Sequence, residues 1–148
     1  MVDTLTPTER SARMARVRRT GTKPEQALRA VVRAVFGHRR RLIFDAVDLL
    51  GSPDLTVPSL RLAIFAHGCF WHSCPIHGRI PKSNRVFWTP KLAANVKRDR
   101  AVVRKLRKAR WSVWTVWEHD LTAGHIRATT GRLFRQAERL KAMRRMVP

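Results

Sequence analysis

Trp111-Ser-Val-Trp-Thr-Val-Trp117 is the stretch on which the fold turns. Val, Thr and Trp favour strands, and here they leave no polar face. A strand apolar on both sides belongs at the centre of a sheet covered above and below. Just before it, over residues 89–109, Leu92, Val96, Asp99, Val103 and Leu106 recur in steps of four and three, the period of a helix. Further upstream, Leu62-Ala-Ile-Phe65 reads as a short buried strand. Leu42-Ile-Phe44 and Asp54-Leu-Thr-Val57 are extended segments flanking the turn-rich Gly51-Ser-Pro53. A first helix starts at Thr22-Lys-Pro-Glu25, with Thr22 near the cap, Pro24 in the first turn and an acid beside it. Ala27, Leu28, Val31, Val32 and Val35 continue it, and Gly37 ends it. A last helix covers about 126–144, with Ile126, Leu133, Ala137 and Leu140 inward. Helix, three strands, helix, strand, helix is the order of a small α/β domain with a mixed central sheet flanked by helices. Residues 66–87 show no period; Gly, Pro, His and Cys are frequent there.

A chain of 148 residues supports one domain with a real core, not two. Residues 1–24, with Arg10, Arg13, Arg16, Arg18, Arg19 and Lys23, read as a basic N-terminal arm ahead of a domain over 25–148. Lys and Arg number 31 against 10 Asp and Glu, a formal net charge of +21. Such an excess calls for a polyanionic partner, and nucleic acid is the usual one. A membrane surface fits less well, because the charges are spread over several segments rather than gathered on one amphipathic helix. No apolar run approaches the roughly 18 residues of a span, and the polar N-terminus lacks a signal core. The expectation is a cytoplasmic protein with no membrane partner.

Cys69-x4-Cys74-x2-His77 lies in the irregular segment. Compact sulfur and nitrogen ligands suit zinc, which takes four in a structural site. His119, just past the Trp111–Trp117 strand, is the leading fourth ligand. The plain alternative is two buried thiols and two surface histidines. The scarce acids are informative. Asp99 occupies the apolar stripe of its helix, where a charge needs a partner. That partner is either one of the many basic neighbours or a catalytic histidine that the carboxylate orients. Asp54 follows Ser52-Pro53 and opens a strand, the shape of many nucleases that hold Mg²⁺ at a sheet edge, although Pro-Asp is also common in turns. Phe70-Trp71 and Phe87-Trp88 sit off any clear stripe, with Lys82, Asn84 and Arg85 between them. They are either core or wedges that enter DNA between base pairs.

In order, Asp54, Ile64-Phe-Ala-His-Gly-Cys-Phe-Trp-His72, Cys74-Pro-Ile-His-Gly78, Pro81-Lys-Ser-Asn84, Phe87-Trp88, Asn95-Val-Lys-Arg-Asp99 and Trp117-Glu-His119 resemble the very short patch repair endonucleases. The resemblance runs from about residue 9 to 120, and Gly-Cys-Phe-Trp-His is its most specific element. It implies a restriction-endonuclease-like fold and a Mg²⁺-dependent enzyme that nicks one strand 5′ of the thymine in a T·G mismatch. Asp54 would bind Mg²⁺ with the backbone carbonyl of Ala66. His72 would be the general base, with Asp99 as its partner. His67 would face the phosphate, and Glu25 would lie near the same site. Cys69, Cys74, His77 and His119 would hold structural Zn²⁺. Phe70, Trp71 and Trp88 would form the intercalating wedge, with Met14 entering from the arm and Lys82 and Asn84 also at the DNA. The implied partner is mismatched double-stranded DNA, met by a monomer working beside a DNA cytosine methyltransferase or repair proteins. Two rival readings are a nuclease of the same fold with sequence or modification specificity, and a catalytically silent DNA-binding module.

Overall fold

The computed structural model describes residues 5, 6, 8, 9, 12, 13, 16, 21–37 and 40–146. Met14 and most of the arm expected over 1–24 lie outside them. Helix α1 (Lys23–Phe36) opens on a reciprocal cap. The Thr22 hydroxyl accepts the Glu25 N–H at 3.5 Å and donates to the Glu25 carboxylate at 2.9 Å, which also accepts the Gly21 N–H at 2.6 Å. Gly37, at φ +65°, ends the helix in a conformation that a side chain would strain. There follow β1 (Ile43–Phe44), β2 (Leu55–Val57), β3 (Leu62–His67), α2 (Arg85–Lys108), β4 (Ser112–Trp117) and α3 (Ile126–Arg145). Single 3-10 turns cover Pro58–Leu60 and Glu118–Leu121.

The four strands form one sheet in the order β1-β2-β3-β4. β1 and β2 pair antiparallel, as do β2 and β3, with Leu55 opposite Ile64. β3 and β4 pair parallel, from Leu62 opposite Ser112 to His67 opposite Trp117. α2 makes the crossover that a parallel pair requires. Strand alternation splits the apolar side chains between two layers. Leu62, Ile64, Trp114 and Val116 meet α1 and α3 through Leu28, Val32, Leu133 and Ala137. Ala63, Phe65 and Val113 face the other way, against Leu106 and Val102 of α2. The sheet is therefore mixed and covered on both faces.

Two expectations need correction. The Trp111–Trp117 strand was expected at the centre, but β4 is an end strand among the described residues, and β2 and β3 lie inside. Its apolar character reports the helices over both faces, which is a separate matter from how many strands flank it. The second helix was expected from 89, yet α2 begins at Arg85 and carries Pro90 inside it. Pro90 falls early enough that few of the turn's hydrogen bonds are lost, and burial of Trp88 and Leu92 extends the helix past it. Phe87 and Trp88 thus belong to its first turn, not to the irregular loop. No helix of the described residues is long and apolar enough to cross a membrane.

Candidate active site and metal cluster

β3 leaves the sheet at Ala66-His67, and the polar residues of interest collect around that exit. Asp54 directly precedes β2, the neighbouring strand. Its Oδ2 accepts the Ala66 N–H at 2.8 Å. Burial raises the Asp54 carboxyl to about 6, against the Ala66 hydrogen bond and with help from nearby Glu25 and Asp45. Glu25 is 7% exposed and spends both oxygens on the α1 cap, so it contributes negative field beside Asp54. A half-buried carboxylate among other carboxylates is an electrostatic setting for a cation.

The alternation of β3 sends His67 to the face that α2 covers. His67 stacks flat on His72, with centroids 4.0 Å apart and planes 8° from parallel, and meets Trp117 edge-on at 5.4 Å. Burial, then the neighbouring His72, lowers His67 to about 4, so its ring is neutral at neutral pH. His72 sits in the loop after β3, and its Nδ1 lies 2.6 Å from Asp99 Oδ2. Asp99 is half-buried on the inner stripe of α2 between Leu92 and Leu106. Of its two partners open from sequence, the structure supplies the histidine. A carboxylate only accepts, so the proton of neutral His72 rests on Nδ1 and Nε2 is left with a lone pair.

The same loop then folds into a second cluster. Ligand atoms of Cys69, Cys74, His77 and His119 all lie within 4.8 Å of one another. His119 Nδ1 is 3.2 Å from Cys69 Sγ and 3.7 Å from Cys74 Sγ. Tetrahedral zinc with Zn–S about 2.3 Å and Zn–N about 2.0 Å brings neighbouring ligand atoms to roughly 3.5 Å, so the set fits such an ion. Burial pushes the Cys69 thiol up. Burial acts the same way on Cys74, but N–H groups of His77, Ile76 and Gly78 outweigh it and hold that thiol below its ordinary value. The cluster could hold a metal ion, and a thiolate is the form that binds one.

Phe70, Trp71, Phe87 and Trp88 gather beside these groups. Phe70 meets Trp71 at 4.9 Å and Trp88 at 5.2 Å, both edge-on. Trp88 is 6% exposed and forms the base of the cluster, Phe70 and Trp71 are half-buried, and Phe87 is 41% exposed. Lys82 and Asn84 are exposed just ahead of α2, with Asn84 at its N-terminal boundary.

Three supporting residues carried no role in the sequence reading. Glu118 Oε2 accepts the Cys69 N–H at 3.1 Å. Asn95 Nδ2 donates to the Trp71 carbonyl at 3.0 Å. Gly78 closes the cysteine loop: its N–H donates to the Cys74 carbonyl at 2.7 Å, and a Cβ there would sit 2.5 Å from that oxygen. Each stands beside a singled-out ligand or aromatic, but none has a spacing that announces a tie to the backbone.

Comparison with known proteins identifies relatives of the chain. A family model described as DNA mismatch endonuclease Vsr matches residues 2–77. The type II nicking enzyme V.NaeI of Lentzea aerocolonigenes is 46% identical over 116 residues, covering 75% of this chain and 68% of the relative. The type II nicking enzyme V.XorIIP of Xanthomonas oryzae pv. oryzae is 46% identical over 101 residues, 67% of this chain and 71% of the relative. The DNA mismatch endonuclease Vsr of Escherichia coli is 39% identical over 66 residues, 43% of this chain and 42% of the relative.

Proposed function

Because the chain belongs to the Vsr family of DNA mismatch endonucleases and is thereby a DNA-cleaving hydrolase, we propose that it nicks one strand of duplex DNA 5′ of the thymine in a T·G mismatch. The observation that carries the mechanism is the 2.6 Å contact of His72 Nδ1 with Asp99 Oδ2, beside Asp54 and Ala66. Asp99 fixes the imidazole so that Nε2 faces the reacting phosphate with its lone pair. Nε2 takes a proton from water, the oxygen attacks phosphorus, and the P–O bond to the leaving strand breaks. The positive charge that His72 gains is stabilised by Asp99. His67 stays neutral and donates its ring N–H to a phosphate oxygen. Mg²⁺ held by Asp54 and the Ala66 carbonyl would supply Lewis-acid stabilisation of the charge developing on the phosphate. Zn²⁺ held by Cys69, Cys74, His77 and His119 would order the loop that carries His72.

The fold is read as restriction-endonuclease-like over residues 25–148, with residues 1–24 as an arm toward the DNA. Phe70 and Trp71 are the wedge, resting on Trp88, and a mispaired step is the least costly to unstack. A second reading draws support from the names of V.NaeI and V.XorIIP, which are nicking enzymes: specificity for the bases around the nick rather than for the mispair. One assay separates them. T·G and matched duplexes in several flanking contexts are tested with and without Mg²⁺. Mg²⁺-dependent nicking confined to T·G supports the first reading, and equal nicking of matched duplex overturns it.

A further inference from the structure

Charge is divided unevenly between the two ends of the sheet. Asp54, Asp99, Glu118 and Asp120 lie toward the end where β3 exits, as their bonds to Ala66, His72, Cys69 and Trp117 place them. Glu25 and Asp45 join them through their influence on Asp54. The opposite end, where β2 finishes and β3 begins, is roughly 20 Å away along six residues of strand. There the single acid among the described residues of α3 is Glu138, already paired with Lys141. The arginines at this end make do with neutral acceptors. Arg40 Nη1 donates to Ser59 Oγ at 3.0 Å, Arg61 Nη2 to the Ala109 carbonyl at 2.9 Å, and Arg144 Nη2 to the Arg110 carbonyl at 3.0 Å. Arg144 Nε is buried with no acceptor among the described residues.

At this end a cleft of about 510 Å³ opens, lined by Phe36, Arg40, Arg41, Ser59 and Lys141. Three cations from two separate segments converge on it: the connection after α1 supplies two, and the last turns of α3 the third. Arg41 is exposed and has no ion pair among the described residues. With Glu138 on Lys141 the one carboxylate paired against these three cations among the described residues, the concave surface keeps a net positive charge and focuses a field that favours a polyanion.

We propose that this cleft is a second DNA-binding surface, which holds backbone phosphates of a duplex segment other than the one being cut. A duplex seated at Asp54 and His72 lies across the opposite end of the sheet, so one chain would bridge two duplex segments. The proposal rests on the family's DNA substrate and is independent of mismatch specificity. Phosphate contacts carry no sequence information, so the second segment is of any sequence.

The test is duplex capture. Full-length protein is loaded onto bead-bound T·G duplex without added Mg²⁺, and capture of a second, fluorescent matched duplex is measured. The wild type captures it, with capture falling steeply between about 50 and 200 mM salt. The Arg41→Gln/Lys141→Gln protein loses capture on the order of tenfold. Its nicking of a short free T·G duplex stays within roughly twofold of wild type. Arg41→Lys, which keeps the charge, retains capture, and the double variant's intact nicking shows that its loss of capture is not misfolding. Absence of capture by the wild type, or undiminished capture by the double variant, overturns the proposal. So does a parallel fall in nicking, which would place the cleft in the footprint of the first duplex. Failure to nick any duplex would instead strike the functional reading and leave the capture result to stand by itself.

Discussion

Two polar clusters hang from the same end of β3, and they are built in opposite ways. The first draws His67 from a strand, Asp99 from a 24-residue helix and His72 from a loop. The second draws three of its four residues from one loop and only His119 from the turn after β4. The sheet and α2 would hold His67 and Asp99 in place whatever the loop did. His72 has no such support, because it lies between Cys69 and Cys74. The contrast teaches that the His72–Asp99 pair is half scaffold and half staple: Asp99 is positioned by the fold, and His72 by whatever orders the cysteine loop.

Breaking the first cluster alone should give the largest effect. His72→Ala is expected to lower kcat by about 10²–10⁴, the usual contribution of a general base, with melting temperature and mismatch binding nearly unchanged. Asp54→Ala should match it, with no full rescue by excess Mg²⁺. Asp99→Asn should keep the fold and lose a large part of that rate, because an amide presents the wrong donor pattern to the ring. Steady-state kinetics beside thermal melts check all three. Near-normal turnover of His72→Ala would remove the histidine from the mechanism.

Breaking the second cluster should injure both. Cys74→Ala is expected to reduce bound zinc from about one per chain, lower the melting temperature and slow nicking together, since a disordered loop no longer aims His72 at Asp99. Metal analysis, calorimetry and kinetics on one preparation test the link. If nicking persists undiminished after zinc is lost, the two clusters are independent and the contrast fails.

Titration separates His67 from the neighbouring Asp54 at a finer level, in the metal-free protein. His67 is depressed from 6.5 to about 4, chiefly by burial. The folded state binds this proton less well than the unfolded state. Its contribution to stability is present above about 6.5 and is lost as pH falls through about 4. Asp54 is raised from 3.8 to about 6, again chiefly by burial, and has the opposite sign. Its contribution is present below about 3.8 and is lost as pH rises through about 6. Denaturant melts across this range should show His67→Asn flattening the first dependence and Asp54→Asn the second. If neither substitution changes the profile, those two groups titrate as they do in the unfolded chain.

Much of this was legible from residues, and the gaps have physical causes. α1 could be bounded closely because Thr22, Pro24, Glu25 and Gly37 act locally, within a turn of where they stand. The edge position of β4 was not legible, because side chains report what covers a strand's faces and say nothing of which strands pair along its sides. α2 was started late because Pro90 reads as punctuation, while the burial that outweighs it comes from tertiary packing around Trp88. Asp99 declared itself as a charge on an apolar stripe, and Cys69, Cys74 and His77 by their spacing. The cleft of Arg40, Arg41 and Lys141 was hidden, because it joins residues a hundred positions apart and has no pattern until the chain folds.

The smallest expected effect concerns the seam between the clusters. Glu118 precedes His119, and its Oε2 accepts the N–H of Cys69, so it ties Cys69 to the turn that carries His119. It also adds negative charge near the Cys69 thiol, one of the lesser influences that raise it after burial. These two roles act in opposite directions on metal binding. The hydrogen bond preorganises the site, worth about 1 kcal/mol, whereas the charge resists formation of the thiolate. Two substitutions part them. Glu118→Ala removes both, and leaves the Cys69 N–H without its acceptor, so metal should leave faster to a chelator. Glu118→Gln keeps an acceptor oxygen and removes only the charge, so metal should leave no faster than from wild type. Nicking by both variants should remain close to wild type while metal is bound, since neither touches His72 or Asp99. Equal acceleration of metal loss in the two would show that the charge, not the hydrogen bond, is what Glu118 lends to the loop.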